Sequence, residues 1–545
     1  MTSNRVPLTM CSRDGNLAWK LLAGLVVVSA VIVALLFRGG PVARKPTAGQ
    51  VTQQPPARLT MYTAAGLRGP AEAIAARYEQ EYGIGVDLQF GGSNTLLNQL
   101  QVNKFETADL FLAADDYYTA KAVADGLAVE VFPVARQRPV IAVRSDSALQ
   151  IESIQDLLDP AIKISMTDPE QAAIGRAVKQ VLESVAVDGG TLWSQLAEHV
   201  TQSGVFKPTV IDVATDVKLG AVDAGIVWDS TVAAEGFRES LRAISLPEFE
   251  SADEMVSLAV LKTSLQPTAA LRFARYLSAG DRGLPVFAES GLRPVEGDNW
   301  SDAPELTFYC GAVNRRAVEQ VIADFQEREG VVVNTVYDGC GTLTSRMQTI
   351  AGQQTSLGFP DMYMACDRYY LDNVRDWFQE DVDVSEMEMV LVVPKGSDKV
   401  RTLADLTKPG IRVAIGQPDQ CTIGALTRRL LQQADLYDAL MSKQTESGEV
   451  VVEKPSSALI VPDVITGHVD AGVAYLTDVM AVRDQVDLIP IDSPQNVAIQ
   501  PFSIARTSGQ KQLARRFFAH LARSRETFEA LGFHFRLVSS AAKAP

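Results

Sequence analysis

The stretch Asp109-Leu-Phe-Leu-Ala-Ala-Asp115, with Tyr117-Tyr118 just after it, recurs as Asp361-Met-Tyr-Met-Ala-Cys-Asp367 before Tyr369-Tyr370. Other segments repeat on either side in the same order. Leu59-Thr-Met-Tyr62 matches Leu306-Thr-Phe-Tyr309, and Phe90-Gly-Gly-Ser-Asn-Thr-Leu96 matches Tyr337-Asp-Gly-Cys-Gly-Thr-Leu343. Asp168-Pro-Glu-Gln-Ala-Ala-Ile-Gly175 matches Gln417-Pro-Asp-Gln-Cys-Thr-Ile-Gly424, and Val222-Asp-Ala-Gly-Ile-Val-Trp228 matches Val469-Asp-Ala-Gly-Val-Ala-Tyr475. An offset near 247 residues far exceeds one supersecondary unit, so the chain holds a duplicated domain and not a solenoid. The join falls near the polar stretch 296–304.

Within each copy, β-rich runs alternate with helical apolar spacing. Leu59–Thr63, Val86–Phe90 and Asp109–Ala113 read as strands, and Arg68–Tyr82, Thr95–Val102 and Tyr117–Asp125 as helices. The order recurs from Leu306 to Asp376. This alternation predicts an α/β fold with a parallel sheet covered by helices on both faces. Ligands of such sheets bind beyond the carboxyl ends of the strands. The residues just after each strand are therefore the informative ones.

Those residues carry a resemblance. Thr63-Ala-Ala-Gly66, Phe90-Gly-Gly-Ser93 with Thr95-Leu96, Ala108 through Asp115, Thr167-Asp-Pro-Glu170 with Ile174-Gly175, and Ala224-Gly-Ile-Val-Trp228 resemble the periplasmic molybdate-binding proteins, solute receptors of ABC importers. The resemblance spans both repeats. It implies two tandem two-lobed domains of the type II periplasmic-binding-protein fold, at 59–298 and 305–536. Lobe one would hold the start and end of each repeat, and lobe two the middle. The oxyanion, molybdate, tungstate or a related species, would lie in the cleft at Gly66, Ser93, Ala114, Ile174, Val210 and Trp228. The family usually has a serine where Gly66 stands and a tyrosine where Trp228 stands, so two hydroxyls are lost. Helix N-termini and a hydroxyl suit such an anion independently of the resemblance. Gly66 and Ser93 as ordinary turn residues is the plain alternative. Asp115, Asp116 and Asp367 read as strand ends or helix caps, and no covalent chemistry is expected of the chain. The Gly-x-Ser-x-Gly, P-loop and dinucleotide patterns do not occur.

The second repeat departs further. Cys310, Cys340 and Cys366 take the places of Thr63, Ser93 and Ala114, and Val313 takes that of Gly66. Cys421 falls in the loop before Ile423-Gly424. All four cysteines of this repeat thus sit on cleft loops, three from one lobe and one from the other. Three readings stay open: a four-thiolate site for zinc, copper(I) or an iron–sulfur cluster, or free thiols holding a soft ligand; two disulfides; or small buried residues. The first makes an anchored metal or redox protein the alternative function.

The ends and composition bound the setting. Residues 1–16 form a tail, and Leu17–Phe37 is nearly all apolar, long enough to span a bilayer. It reads as an uncleaved single-pass anchor, with a cleaved signal peptide as the alternative. A Gly-, Pro- and Gln-rich linker follows over 38–58. The binding domains would then lie in the periplasm or outside the cell, beside an ABC permease. Cys11 precedes the apolar run and is not a lipid-anchor cysteine at a cleavage site. A formal charge of −16, from 50 basic and 66 acidic residues, argues against a nucleic-acid partner. Four scattered histidines argue against a three-histidine zinc centre.

Overall fold

The computed structural model describes residues 58–102, 108–353, 357–446 and 451–537. The expected anchor Leu17–Phe37 lies outside them. Among the described residues no helix is long and apolar enough to cross a membrane.

Each repeat opens with the same unit. The strand Arg58–Ala64 runs through a 3-10 turn, Ala65–Leu67, into the helix Arg68–Tyr82. That helix buries Ala71, Ile74, Ala75 and Tyr78 on one face, the i, i+3, i+4, i+7 spacing of a half-buried helix. Gly83 stops it in the left-handed conformation, φ 69°, and donates its N–H to Glu79 O, a geometry glycine adopts without Cβ strain. The chain then re-enters the sheet as Gly85–Gly91, parallel to the first strand. In repeat two, Glu305–Gly311, Ala312–Asn314, Arg315–Glu329, Gly330 (φ 67°) and Val332–Asp338 repeat the unit.

Two sheets build repeat one. The first runs in the order Arg293–Pro294, Ala128–Gln137, Glu254–Leu261, Leu110–Ala113, Arg58–Ala64, Gly85–Gly91. The second runs Leu241–Ile244, Pro139–Arg144, Ala224–Trp228, Ile164–Thr167, Val205–Lys207. The start and end of the repeat thus make one lobe and the middle makes the other. Neither sheet is purely parallel, which corrects the expectation. Glu254–Leu261 pairs antiparallel with both Leu110–Ala113 and Ala128–Gln137, and Pro139–Arg144 pairs antiparallel with Ala224–Trp228. The cause is the crossing: the chain leaves and re-enters lobe one without a covering helix, so the strands that carry it run against their neighbours.

In repeat two the two sheets fuse. One strand of 17 residues, Phe378–Pro394, pairs with Val497–Ala505 at its start and with Ala471–Tyr475 and Val486–Pro490 at its end. The equivalent path in repeat one breaks at Arg138, just before Pro139. Proline has no N–H to continue a ladder.

The repeats meet through a buried ionic contact. Glu329, 2% exposed, receives Arg275 of repeat one at 2.9 Å and Arg516 of repeat two at 2.7 Å. The Arg516 guanidinium lies 4.1 Å from the centre of the Phe132 ring of repeat one. Asp298 accepts the N–H groups of Gln512 and Leu513 at the start of the helix Lys511–Leu521, where a carboxylate is favoured.

Candidate functional site: two clefts

In repeat one, three helix starts converge between the lobes. The helix Ser93–Val102 starts in lobe one, and Ala173–Glu183 and Val210–Lys218 start in lobe two. The first begins at Ser93, two residues before the expected Thr95. The lobes touch here. Asn94 Nδ2 donates to Glu170 O at 2.6 Å and Thr95 N–H to Gln171 O at 3.4 Å.

The residues expected from the sequence lie on these walls. A Cβ built on Gly66 would lie 3.0 Å from Val210 Cγ1, 3.8 Å from Trp228 Cδ1 and 3.9 Å from Thr231 Oγ1. Ser93 Oγ accepts the Ala114 N–H at 3.2 Å, leaving its own proton to donate elsewhere. Ile174 is buried in the first turn of its helix, where N–H groups have no intrahelical partner. Gln137 Nε2 holds the Ala114 carbonyl at 3.0 Å, and Ser230 Oγ holds Gln137 at 2.8 Å, which fixes the loop.

Three further groups were not singled out as ligands by the sequence. The hydroxyls of Thr63, Thr167 and Thr231 are buried and have no hydrogen-bond partner within the protein. Thr63 and Thr167 stand at or next to the last residues of strands, and Thr231 sits beside Gly66. An orphan buried hydroxyl costs about 1–3 kcal/mol. Buried hydroxyls left without partners at strand ends and beside Gly66 are donors that await an acceptor. No charged side chain belongs to this set.

Asp115 and Asp367 cap their helices as expected, accepting the Tyr117 and Tyr369 N–H groups at 2.8 and 3.0 Å. Asp115 does more. Its carboxylate is fully buried and takes Arg176 Nε of the opposite lobe at 3.0 Å, while Arg176 lies 4.5 Å from the Tyr117 ring centre and 3.7 Å from Glu254. Burial, with Asp115 alongside, pushes the Glu254 carboxyl up to about 7. Asp115, Asp116 and Glu254 bring oxygens within 4.8 Å of one another, but Arg176 already supplies the positive charge there. Repeat two lacks this ion pair across the lobes, because Ala425 and Ala498 stand where Arg176 and Glu254 do.

The second cleft is built differently. Cys340 and Cys366 form a disulfide. Cys340 Sγ also accepts the Cys366 N–H at 2.9 Å, the bond Ser93 makes with Ala114. Cys310 and Cys421 are free and buried. No three of the four sulfurs lie within 4.8 Å of one another. The four-thiolate metal site at Cys310, Cys340, Cys366 and Cys421 is therefore not assembled, and of the two disulfides weighed against it one forms. The reasons are local. The Cys310 thiol is fully buried, faces Gly311 O at 3.7 Å, and is pushed far up by burial, so it stays neutral. The Cys421 thiol is turned to Gln417 O and Lys454 O at 3.5 and 3.4 Å within its own lobe. Peptide mapping of the full-length chain without reductant should recover Cys340 and Cys366 in one cross-linked peptide, and Cys310 and Cys421 as free thiols. A Cys310–Cys421 cross-link would contradict this geometry.

This fold and these clefts define a solute receptor, and the chain belongs to the bacterial extracellular solute-binding protein family, whose model matches residues 59–293 and again 306–534. It is 26% identical over 254 residues to the molybdate-binding protein ModA of Mycobacterium tuberculosis, covering 45% of this chain and 88% of that protein. It is 23% identical over 274 residues to ModA of Escherichia coli, covering 46% and 97%. Among solved structures, the periplasmic molybdate-binding protein of Azotobacter vinelandii matches with a TM-score of 0.37 and 19% identity, over 44% of this chain and all of that one.

Proposed function

We propose that repeat one captures a tetrahedral oxyanion of the molybdate or tungstate class and presents it, in the closed form, to an ABC permease outside the cytoplasm. The observation that carries this reading is the set of buried hydroxyls, Ser93 with the unpartnered Thr63, Thr167 and Thr231, which stand at strand ends, at a helix start or beside Gly66 and include no charged side chain. Neutral donors of this kind can hold a dianion without a counter-charge. Thr63, Thr167 and Thr231 supply hydroxyls that the changes at Gly66 and Trp228 remove. The relatives that carry molybdate in their names support the class of anion. The domains are proposed to span 59–298 and 305–536, held to the membrane by Leu17–Phe37.

Calorimetry on the full-length chain tests the anion. Molybdate or tungstate should bind at one equivalent. Binding of none among molybdate, tungstate, sulfate and phosphate would refute the reading. For the anchor, the chain should sediment with membranes after a salt wash and keep its first residues. A soluble form beginning beyond Phe37 would show a cleaved signal instead.

A further inference from the structure

Asp115 directly follows Ala114, whose N–H bonds Ser93 Oγ in the first cleft at 3.2 Å. The carboxylate is fully buried, and its two oxygens serve different lobes. Oδ1 caps its own helix through the Tyr117 N–H at 2.8 Å. Oδ2 takes Arg176 of the opposite lobe, from Nε at 3.0 Å and from Nη2 of the same guanidinium. Arg176 sits near the start of the helix Ala173–Glu183 and is aimed from there: its Nη1 donates to Gln180 Oε1, one turn on, at 2.6 Å. The Tyr117 ring lies 4.5 Å from its guanidinium and Glu254 3.7 Å away.

Repeat two keeps the aspartate and satisfies it differently. Asp367 Oδ1 caps its helix through the Tyr369 N–H, but Asp367 Oδ2 accepts the Ile499 N–H at 3.1 Å. Ile499 belongs to the strand Val497–Ala505, which pairs with Met362–Met364 in the same lobe. That bond survives whether the lobes are open or shut. Asp115 Oδ2 keeps its guanidinium only when they are shut. Opening repeat one would also withdraw the one cation from Asp115, Asp116 and Glu254, whose oxygens lie within 4.8 Å of one another. Like charges so close repel once the counter-charge is gone.

We propose that Arg176 is a latch between the lobes of repeat one: paired with Asp115, it holds them together before a ligand arrives and so sets how tightly the cleft binds. The effect on affinity rests on the oxyanion reading above; the latch itself does not. A receptor whose binding form is already populated loses less of its intrinsic affinity to closing. Arg176 also neutralises a carboxylate one residue from Ala114, which would otherwise oppose a dianion in the cleft. Arg176 is thus a positioning residue, acting through the lobes and not through contact with the ligand.

Hydrogen exchange of the ligand-free, full-length chain, read by mass spectrometry over residues 92–97, measures closure without any anion. The Thr95 N–H in that stretch bonds Gln171 O of the opposite lobe. Arg176→Gln should speed exchange there by about tenfold or more, because opening relieves the carboxylate left unpaired. Exchange over the strand Leu110–Ala113 and over 339–344 of repeat two should not change. Arg176→Lys keeps the charge without the two-point grip and should have a smaller effect. By calorimetry, Arg176→Gln should bind molybdate about tenfold or more weakly. The double variant Asp115→Asn/Arg176→Gln should bind no more weakly than Arg176→Gln, since Asn still caps the helix and leaves no charge unpaired. Unchanged exchange over 92–97 in Arg176→Gln, faster exchange throughout repeat one, or additive losses of affinity from the two substitutions would overturn the latch. Faster exchange confined to 92–97, with molybdate bound by no variant and not by the unaltered chain, would uphold the latch and refute the oxyanion reading alone.

Discussion

Glu329→Ala is expected to destabilise the chain by about 3–5 kcal/mol, the usual cost of removing one partner from a buried ion pair. Glu329 is buried between Arg275 and Arg516, and Arg275 also donates to the Glu329 carbonyl at 2.7 Å. Removing the carboxylate leaves two guanidiniums, each with 9% of its side chain exposed, facing one another without a counter-charge. Burial opposes ionisation of Glu329, but the guanidiniums of Arg516 and Arg275 outweigh it and hold the carboxyl below its ordinary value. Its contribution is thus present above the unfolded value near pH 4 and is lost as the pH falls through the folded one. Urea unfolding of the full-length chain measures the effect. Glu319→Ala, which breaks an exposed, solvent-screened pair with Arg315 on the same helix, should cost far less. Equal costs for the two variants would show that the contact between the repeats is not ionic in origin.

Gly92→Ala is expected to lower oxyanion affinity at least a hundredfold, about 2.7 kcal/mol, with little change in fold stability. A Cβ there would stand 2.2 Å from Gln171 O and 3.1 Å from Pro208 O. Both are backbone atoms of the opposite lobe and cannot rotate away. Within its own lobe Gly92 has no such conflict, so the lobes separate and the domain stays folded. The ligand-binding form of a hinged receptor is the closed one, and an obstacle between the lobes is felt as lost affinity. Gly69→Ala is the control, since a Cβ there meets nothing within 4 Å. Unchanged molybdate affinity in Gly92→Ala would mean that the anion does not bind between these lobes.

Much of this architecture was legible in the sequence. The repeat was visible because short strand-end motifs kept their order and spacing, and the helix Arg68–Tyr82 fell where its apolar spacing put it. The mixed sheets were not, since strand direction depends on where the chain crosses between lobes, which local pattern does not record. Of the six expected cleft residues, Gly66 adjoins Val210 and Trp228, and Ser93 adjoins Ala114, because each stands at or just after a strand end. Arg176 was missed because its partner Asp115 lies 61 residues away in the other lobe. Thr231 was missed because a lone hydroxyl in a helical turn carries no signal until its lack of a partner is seen. Of the four cysteines expected on cleft loops, Cys366 falls on a loop, Cys340 starts a helix and Cys421 caps one, but Cys310 lies inside the strand Glu305–Gly311 and is fully buried. Whether these positions bring four sulfurs together depends on side-chain direction, and here two of the thiols turn to carbonyls in their own lobes.

The central claim is that the cleft of repeat one is an oxyanion site. Anomalous diffraction from crystals of the full-length chain grown with tungstate tests it most directly. A tungsten peak is predicted between the lobes of repeat one, within hydrogen-bonding reach of Ser93 and Thr231. No peak beside Ser93 would contradict the account.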